Sequence, residues 1–165
     1  MPKSITVIHG APGGNAMEFA SDQFLARALL TLNVLGFSLG PAIADFNRTH
    51  ATNPLWTPHA RFHVVWQVLS YVGIGVVVLG LIWTGAPDAT GQLWLAVALI
   101  AAVYGAFFLT VFSMPRFGGG VTDSNGVPPI ATVQFAGRAR PLDTNVTVFC
   151  AQIVLLTAAM VAIGW

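Results

Sequence analysis

Three of the four histidines lie close together in this 165-residue chain, at positions 50, 59 and 63. His59 and His63 are four residues apart, a spacing that places two side chains on one face of a helix. Asp45 and His50 precede them in the same polar segment, which comprises residues 45–63. Three imidazoles and a carboxylate form a ligand set for copper, iron or zinc. We therefore expect Asp45, His50, His59 and His63 to bind one transition metal ion and to be the catalytic residues.

The same segment has a simpler interpretation, in which its polar groups cap helices, bind lipid headgroups and hydrogen-bond to one another. Asn47, Arg61 and Gln67 are predicted to be the cofactor-binding residues. Asn47, Arg48 and Arg61 would support the metal ligands, or would hold an anionic substrate or headgroup. Gln67 lies four residues after His63 and continues its helix face. Thr57 followed by Pro58 predicts the start of that helix, because threonine caps and proline is tolerated in the first turn.

The rest of the chain has the composition of a membrane protein. Hydrophobic residues make up 55% of it, charged residues only 8%, and the mean hydropathy is +0.73. A soluble domain carries roughly 25% charged residues, so lipid must cover most of this surface. Segments of about 20 apolar residues predict membrane-spanning helices. We expect an all-α, four-helix integral membrane bundle in a single domain, with spans at about 24–44, 62–83, 93–114 and 146–165.

The connections place the polar segment at one end of this bundle. With four spans, the connections 45–58 and 115–144 lie on the same side of the membrane, so the longer one could fold over the histidines as a lid. Residues 1–23 are interpreted as an N-terminal lead-in to the first span.

Two polar stripes are expected to line a cleft below the histidines. Thr31, Ser38 and Asp45 repeat every seven residues on the first helix, and the face of His59 and His63 continues along the second. Polar side chains at depth in a membrane usually face the bundle interior. Asn145 and Gln152 would complete the lining from the fourth helix, and Gly73, Gly75 and Gly80 would allow close helix packing within the bundle or between copies.

Charge and cysteine content exclude several classes of function. The net charge is +1, which supplies no basic surface for nucleic acid. The single cysteine, Cys150, excludes an intrachain disulfide. Lys/Arg residues are more frequent on the side of the long connections, which predicts that these connections are cytoplasmic. That side carries Arg48, Arg61, Arg116, Arg138 and Arg140, against Lys3 and Arg27 on the other.

The polar segment resembles the signature of an uncharacterised family of small four-helix membrane proteins from fungi and bacteria. The matching residues are Asp45, Asn47, Thr49, His50, Asn53, Pro54, Trp56 and Pro58-His59-Ala60-Arg61-Phe62-His63. The match is dense over this segment, and elsewhere only the helix layout agrees. That family has no established activity, so the resemblance supports a site and implies no reaction.

The segment also resembles the C subunit of copper membrane monooxygenases, which oxidise methane or ammonia. An aspartate followed by a histidine, and then by a Thr-Pro motif with a histidine, is similar to Asp45, His50 and Thr57-Pro58-His59, although His63 fits the spacing between the two histidines better than His59 does. The gap from Asp45 to His50 is one residue longer than in that subunit.

Two hypotheses remain from the sequence. The first is a metal-dependent membrane oxidoreductase that acts on a lipophilic small molecule at the interface, with a metal-free variant in which histidine is a general acid or base. The second is a non-catalytic membrane subunit, small carrier or metal-handling protein, whose partner is a second copy or another membrane protein.

Overall fold

The computed structural model describes residues 13–84, 90–122 and 128–164. Four helices account for most of them, with a short 3₁₀ turn and a β-hairpin between the third and fourth. The helices are α1 (Gly13–Asp45), α2 (Pro58–Trp83), α3 (Thr90–Ser113) and α4 (Thr144–Gly164), the 3₁₀ turn is Met114–Arg116, and the strands are β1 (Ala131–Phe135) and β2 (Arg138–Leu142).

All four helices are long and apolar enough to cross a membrane, as expected for a multi-pass membrane protein. The candidate spans are Gln23–Asp45, Pro58–Trp83, Thr90–Arg116 and Thr144–Gly164. The predicted all-α membrane bundle is therefore confirmed. Residues 13–23 of the predicted lead-in are helical and continuous with the first span, which makes α1 33 residues long. The first 12 residues lie outside the described part of the chain.

Side-chain caps begin helix α2, which follows the polar segment, and helix α4. Thr57 accepts a hydrogen bond from the backbone N–H of Ala60 at 3.2 Å, and Pro58 occupies the first helical position of α2, as predicted. The Asp143 carboxylate accepts the N–H of Val146 at 2.8 Å and caps α4. Each cap satisfies a backbone donor that the helix leaves without a partner, and so these residues determine where each span emerges from the bundle.

Helix α1 lies at the centre of the bundle and contacts the other three helices. Its buried side chains pack against apolar residues of each neighbour. The Tyr104 hydroxyl of α3 donates a hydrogen bond to the backbone carbonyl of Asn33 at 2.7 Å in this core. The largest fully buried side chains in the core include Leu30, Val34, Phe37, Val78, Ile82, Leu93, Ile100 and Tyr104. Large apolar side chains elsewhere point outward, where lipid would cover them, as at Val76, Leu109 and Val154.

Helices α1 and α2 approach closely at a glycine. A Cβ atom at Gly75 would lie 2.9 Å from the Cβ of Ser38, too close for two carbon atoms. Cβ atoms at Gly73 and Gly80 would meet nothing within 4 Å. Of the three glycines that the sequence singles out on α2, only Gly75 is therefore required for packing between the described helices.

The connection 115–144 contains a β-hairpin that the sequence interpretation missed. Val133 pairs with Arg140 and Gln134 with Ala139, in an antiparallel register. Ala136 and Gly137 both have positive φ, of 50° and 71°, as required in the tight turns that match strand twist. Alternating Thr132, Val133 and Gln134 side chains are consistent with a strand, but the turn lacks the Asn-Gly or Asp-Gly signal.

Candidate functional site

The polar segment between α1 and α2 is organised by the side chain of Asn47. Its Nδ2 donates to the carbonyl of Ala44 at 2.6 Å, which satisfies an acceptor at the C-terminal end of α1. Its Oδ1 accepts the backbone N–H of Thr49 at 2.8 Å and the Thr49 hydroxyl at 2.5 Å. An asparagine that bonds to groups two residues ahead forms an Asx turn. Asn47 therefore fixes the chain that presents Thr49 and His50.

Asn53 fixes the second half of the segment from a buried position. Its Nδ2 donates to the carbonyl of Thr49 at 2.8 Å, and its Oδ1 accepts the N–H of Leu55 at 3.0 Å. Only 1% of Asn53 is exposed. Two hydrogen bonds from a buried amide to backbone groups on both sides rigidify the loop, because breaking a buried hydrogen bond is costly. The segment is therefore an ordered loop and not a flexible linker.

His50 lies at the centre of this structure, between a carboxylate and an aromatic ring. Its Nδ1 is 3.7 Å from Oδ1 of Asp45 and 2.8 Å from Oγ1 of Thr49. Its ring meets Trp56 edge-on, with the ring centroids 5.2 Å apart. The His50 and Asp45 side chains are only 17% and 23% exposed. The structure thus joins Asp45 and His50, two of the four predicted ligands.

The hydrogen bonds of Thr49 determine which nitrogen of His50 carries the proton. A threonine hydroxyl has one hydrogen and two lone pairs. That hydrogen goes to Oδ1 of Asn47, which can only accept because Nδ2 of the same amide donates to Ala44. The hydroxyl must then accept from Nδ1–H of His50. Neutral His50 is therefore the Nδ1–H tautomer, and Nε2 holds the free lone pair.

His50 also lines a cavity of about 460 Å³ at this end of the bundle. The cavity lies between the α1–α2 segment, the C-terminal end of α3, the residues that follow α3, and the first turn of α4. Its lining is mainly apolar, with a few polar side chains. The lining residues are His50, Trp56, Phe107, Thr110, Val111, Met114, Phe117, Gly119, Gly120, Val121, Thr122 and Asn145.

The long connection therefore packs beside His50, as the lid prediction requires, but not beside His59 and His63. Residues 117–122, the first part of the long connection, share the cavity wall with His50. His59 and His63 are absent from that wall and are exposed on α2. Sequence reasoning missed most of the lining, including Thr110, Met114 and Thr122. The only signal for it was the turn-forming Gly118-Gly119-Gly120, which brings the chain back over the end of α3.

His59 and His63 form a second pair, as their four-residue spacing predicts. Their Nε2 atoms are 3.0 Å apart and their rings are nearly perpendicular, at 83°, with centroids 4.4 Å apart. Both rings are exposed at the start of α2. Phe62 and Trp66 flank them and are also exposed.

The four predicted ligands are thus arranged as two pairs. In the part of the chain that the structure describes, no group of three or more His, Cys, Asp or Glu residues is placed to hold a metal ion. A single centre with four protein ligands is not formed in this arrangement. Metal binding by any of the four residues stays a prediction.

The two polar stripes do not face each other, which corrects the expected cleft. On α1, Ser38 faces Gly75 of α2, and the Thr31 hydroxyl accepts from Nε1 of Trp83 at 3.0 Å. On α2, His59, His63 and Gln67 are all exposed. With 100° per residue, their face lies roughly 100° from the buried face of α2, which carries Val68, Gly75, Val78 and Ile82. The α2 stripe therefore lies beside the helix contact and not within it.

The three residues predicted to bind a cofactor lie in different parts of the structure and do not form one site. Asn47 supports the loop from beneath His50 and does not line the cavity. Gln67 donates from Nε2 to the Tyr71 hydroxyl at 3.3 Å. Arg61 lies on the first turns of α2, half-buried. Of the expected lining from α4, Asn145 lies in the cavity wall, whereas Gln152 lies against Gly36 of α1.

Comparisons with known proteins identify a family but no characterised relative. No curated protein and no solved structure matches the chain. The model of DUF6640, a family of unknown function, matches residues 12–141, a range that includes the first three spans, the polar segment and the cavity residues up to Thr122. The chain therefore belongs to the DUF6640 family of unknown function.

Proposed function

We propose that this protein binds a small, largely apolar molecule in the His50 cavity and that Nε2 of His50 exchanges a proton with it. The observation that carries this proposal is the chain of hydrogen bonds that joins Asn47, Thr49 and Nδ1 of His50. Thr49 holds the proton on Nδ1, so the basic nitrogen is Nε2. A histidine in a cavity wall with a fixed tautomer is suited to acid–base chemistry.

The cavity has the size and composition of a small-molecule site. Such sites typically measure about 300–1,000 Å³ and combine an apolar lining with a few polar groups. Here Phe107, Val111 and Met114 are apolar, whereas His50 and Asn145 are polar. The cavity lies where spans emerge from the bundle, so an apolar molecule can arrive from the bilayer while water supplies protons.

Asp45 places a carboxylate close to the His50 ring that would carry the proton in such a step. Its Oδ1 is 3.7 Å from Nδ1, too far for a good hydrogen bond but close enough for attraction to an imidazolium. The half-buried environment weakens solvent screening of that attraction. Asp45 would thus attract the ring while it is charged, and Thr49 would keep the ring oriented.

The geometry supports acid–base chemistry more directly than the metal-dependent oxidoreductase expected from the sequence. That expectation needs Asp45, His50, His59 and His63 around one ion, and the resemblance to copper monooxygenases rests on the same residues. The described residues instead form two pairs. Proton exchange needs only His50 and its two neighbours. The Lys/Arg bias supports a cytoplasmic location for the cavity.

A pair of probes that differ by one hydroxyl group tests the proposal. Purified protein in detergent is titrated with 1-naphthol and with naphthalene, and binding is followed by probe fluorescence. We expect the wild type to bind 1-naphthol about fivefold more tightly, since a hydrogen bond to Nε2 contributes about 1 kcal/mol. Excited 1-naphthol is a strong acid, so transfer to Nε2 should also appear as naphtholate emission.

Two variants separate the cavity from its imidazole. His50→Gln should remove the naphtholate emission of bound 1-naphthol, because the amide oxygen of glutamine can accept a hydrogen bond but not the proton. It should leave naphthalene binding unchanged. Val111→Trp should weaken both probes, because the indole fills the cavity. Unchanged naphtholate emission from 1-naphthol bound to His50→Gln, or no saturable binding of either probe to the wild type, would overturn the proposal.

A further inference from the structure

The two paired imidazoles on the first turns of α2, those of His59 and His63, do not line the His50 cavity. Thr57 and Pro58 fix the start of the helix, so His59 and His63 follow on one face one turn apart. Their Nε2 atoms approach to 3.0 Å with the rings nearly perpendicular. Both rings are exposed, so no buried contact forces the nitrogens together.

This geometry suits two ligands of one metal ion. Imidazole nitrogens bind transition metals at about 2.1 Å. At that distance, a separation of 3.0 Å between the nitrogens corresponds to an N–metal–N angle of about 90°. Such an angle belongs to neighbouring positions of a square-planar or tetragonal shell, which Cu²⁺ and Ni²⁺ adopt. A tetrahedral Zn²⁺ site would hold the nitrogens farther apart.

We propose that His59 and His63 form a binding site for a divalent transition metal ion of tetragonal geometry, separate from the His50 cavity. The described chain supplies these two ligands and no third His, Cys, Asp or Glu to the group. Water at the exposed surface completes the shell. The ion is therefore held at the membrane interface with open positions, and its site is independent of the acid–base function proposed for His50.

The test uses tag-free, full-length protein in detergent with Cys150→Ser, so that the one thiol contributes no ligand. Ni²⁺ and Cu²⁺ are titrated by calorimetry, with Mg²⁺ and Zn²⁺ for comparison. We expect one equivalent of Ni²⁺ or Cu²⁺, weaker binding of Zn²⁺ and none of Mg²⁺. His59→Gln and His63→Gln should each weaken Ni²⁺ binding at least tenfold, because a single imidazole remains. Electron paramagnetic resonance of the Cu²⁺ form should show two nitrogen ligands, and one in either variant.

A matched control tests the geometry with the number of histidines kept constant. The double variant Arg61→His/His63→Gln places the two histidines at 59 and 61, roughly opposite each other around the helix. It also removes a positive charge, which by itself would favour a cation. Binding should nevertheless stay as weak as in His63→Gln. Wild-type affinity in this control would show that any two exposed histidines suffice and would overturn the site.

His50→Gln distinguishes this site from the cavity. It should leave Ni²⁺ and Cu²⁺ affinity unchanged, while it removes the naphtholate emission of bound 1-naphthol. If His50→Gln weakened metal binding as much as His63→Gln does, or if both single variants on α2 kept wild-type affinity, the assignment to His59 and His63 would be wrong.

Discussion

At the scale of single residues, one threonine hydroxyl determines the chemistry available at His50. The Thr49 hydroxyl donates to Asn47 and so can only accept from His50. Asp45, at 3.7 Å, adds attraction for a charged ring but no short hydrogen bond. The basic nitrogen of His50 is therefore selected by Thr49, its neighbour along the chain, and the effect of Asp45 on that selection is smaller.

Thr49→Val should lower the fraction of His50 in the Nδ1–H tautomer. Valine keeps the shape of threonine and the backbone bond to Asn47, but cannot accept from Nδ1. A neutral hydrogen bond contributes about 1 kcal/mol, so the tautomer ratio should fall roughly fivefold. Nitrogen-15 chemical shifts of labelled histidine measure that ratio directly.

Thr52→Val is the matched control for this experiment. Thr52 lies in the same loop, is exposed, and its side chain forms no hydrogen bond with His50 in the described structure. The tautomer ratio should not change in this variant. An unchanged ratio in Thr49→Val would instead mean that Asp45 alone holds the proton on Nδ1.

At the scale of helices, the contact between α1 and α2 depends on a missing side chain. A methyl group at Gly75 would lie 2.9 Å from Cβ and 3.0 Å from Oγ of Ser38, and 3.3 Å from Cγ1 of Val34. Ser38 Cβ is attached directly to the backbone and cannot move aside without the helix. Close approach of this kind is where membrane helices use small residues.

Gly75→Ala should therefore destabilise the bundle by about 1–3 kcal/mol, the usual cost of overpacking. Gly73→Ala is the control, because a Cβ there meets nothing within 4 Å, and alanine favours a helix over glycine by roughly 1 kcal/mol. Unfolding midpoints in detergent, followed by circular dichroism, compare the two. Equal midpoints for the two variants would show that α1 and α2 are not packed at Gly75.

The elements differ in how far the sequence predicts them. Helices α2, α3 and α4 follow from apolar runs, since hydrogen bonding in a helix is local and lipid requires a minimum length. The start of α2 follows from Thr57 and Pro58. The hairpin does not, because its strands are short and its Ala136-Gly137 turn lacks a strong signal. The hairpin is recognised only from the pairing of its two strands in the structure.

At the scale of the whole molecule, four antiparallel spans bring both long connections to one end. Thr52, in the first of them, and Thr84, at the end of α2, are both exposed and lie at opposite ends of that helix. In a Cys150→Ser background, Thr52→Cys should resist a membrane-impermeant maleimide on intact cells, and Thr84→Cys should react. Cell permeabilisation should make both residues react.

The outcome separates topology from orientation. Reversed reactivity would keep the four spans but place the His50 cavity outside the cytoplasm, against the Lys/Arg bias. Equal reactivity of both residues on intact cells would contradict the number of spans between them. Cys150→Ser without a new cysteine should stay unlabelled in every sample.

The sequence by itself determined that lipid surrounds most of the protein, how many spans it has, and which segment holds the candidate site. Hydrophobic content and the spacing of turn residues decide these points locally. The sequence also determined that His59 and His63 would meet, because four residues of helix bring their side chains together. The pair Asp45–His50 followed from its short separation along the same loop.

Only the tertiary structure decided that these pairs stay apart and that, of the four residues, His50 lines the described cavity. The packing of Gly75 against Ser38 and the burial of Val78 and Ile82 set the rotation of α2 about its axis. That rotation turns His59 and His63 away from the cavity. The return of residues 117–122 over the end of α3 then builds the cavity wall beside His50. Hydropathy cannot give this rotation, since apolar residues surround α2 on every side and lipid accepts any of them.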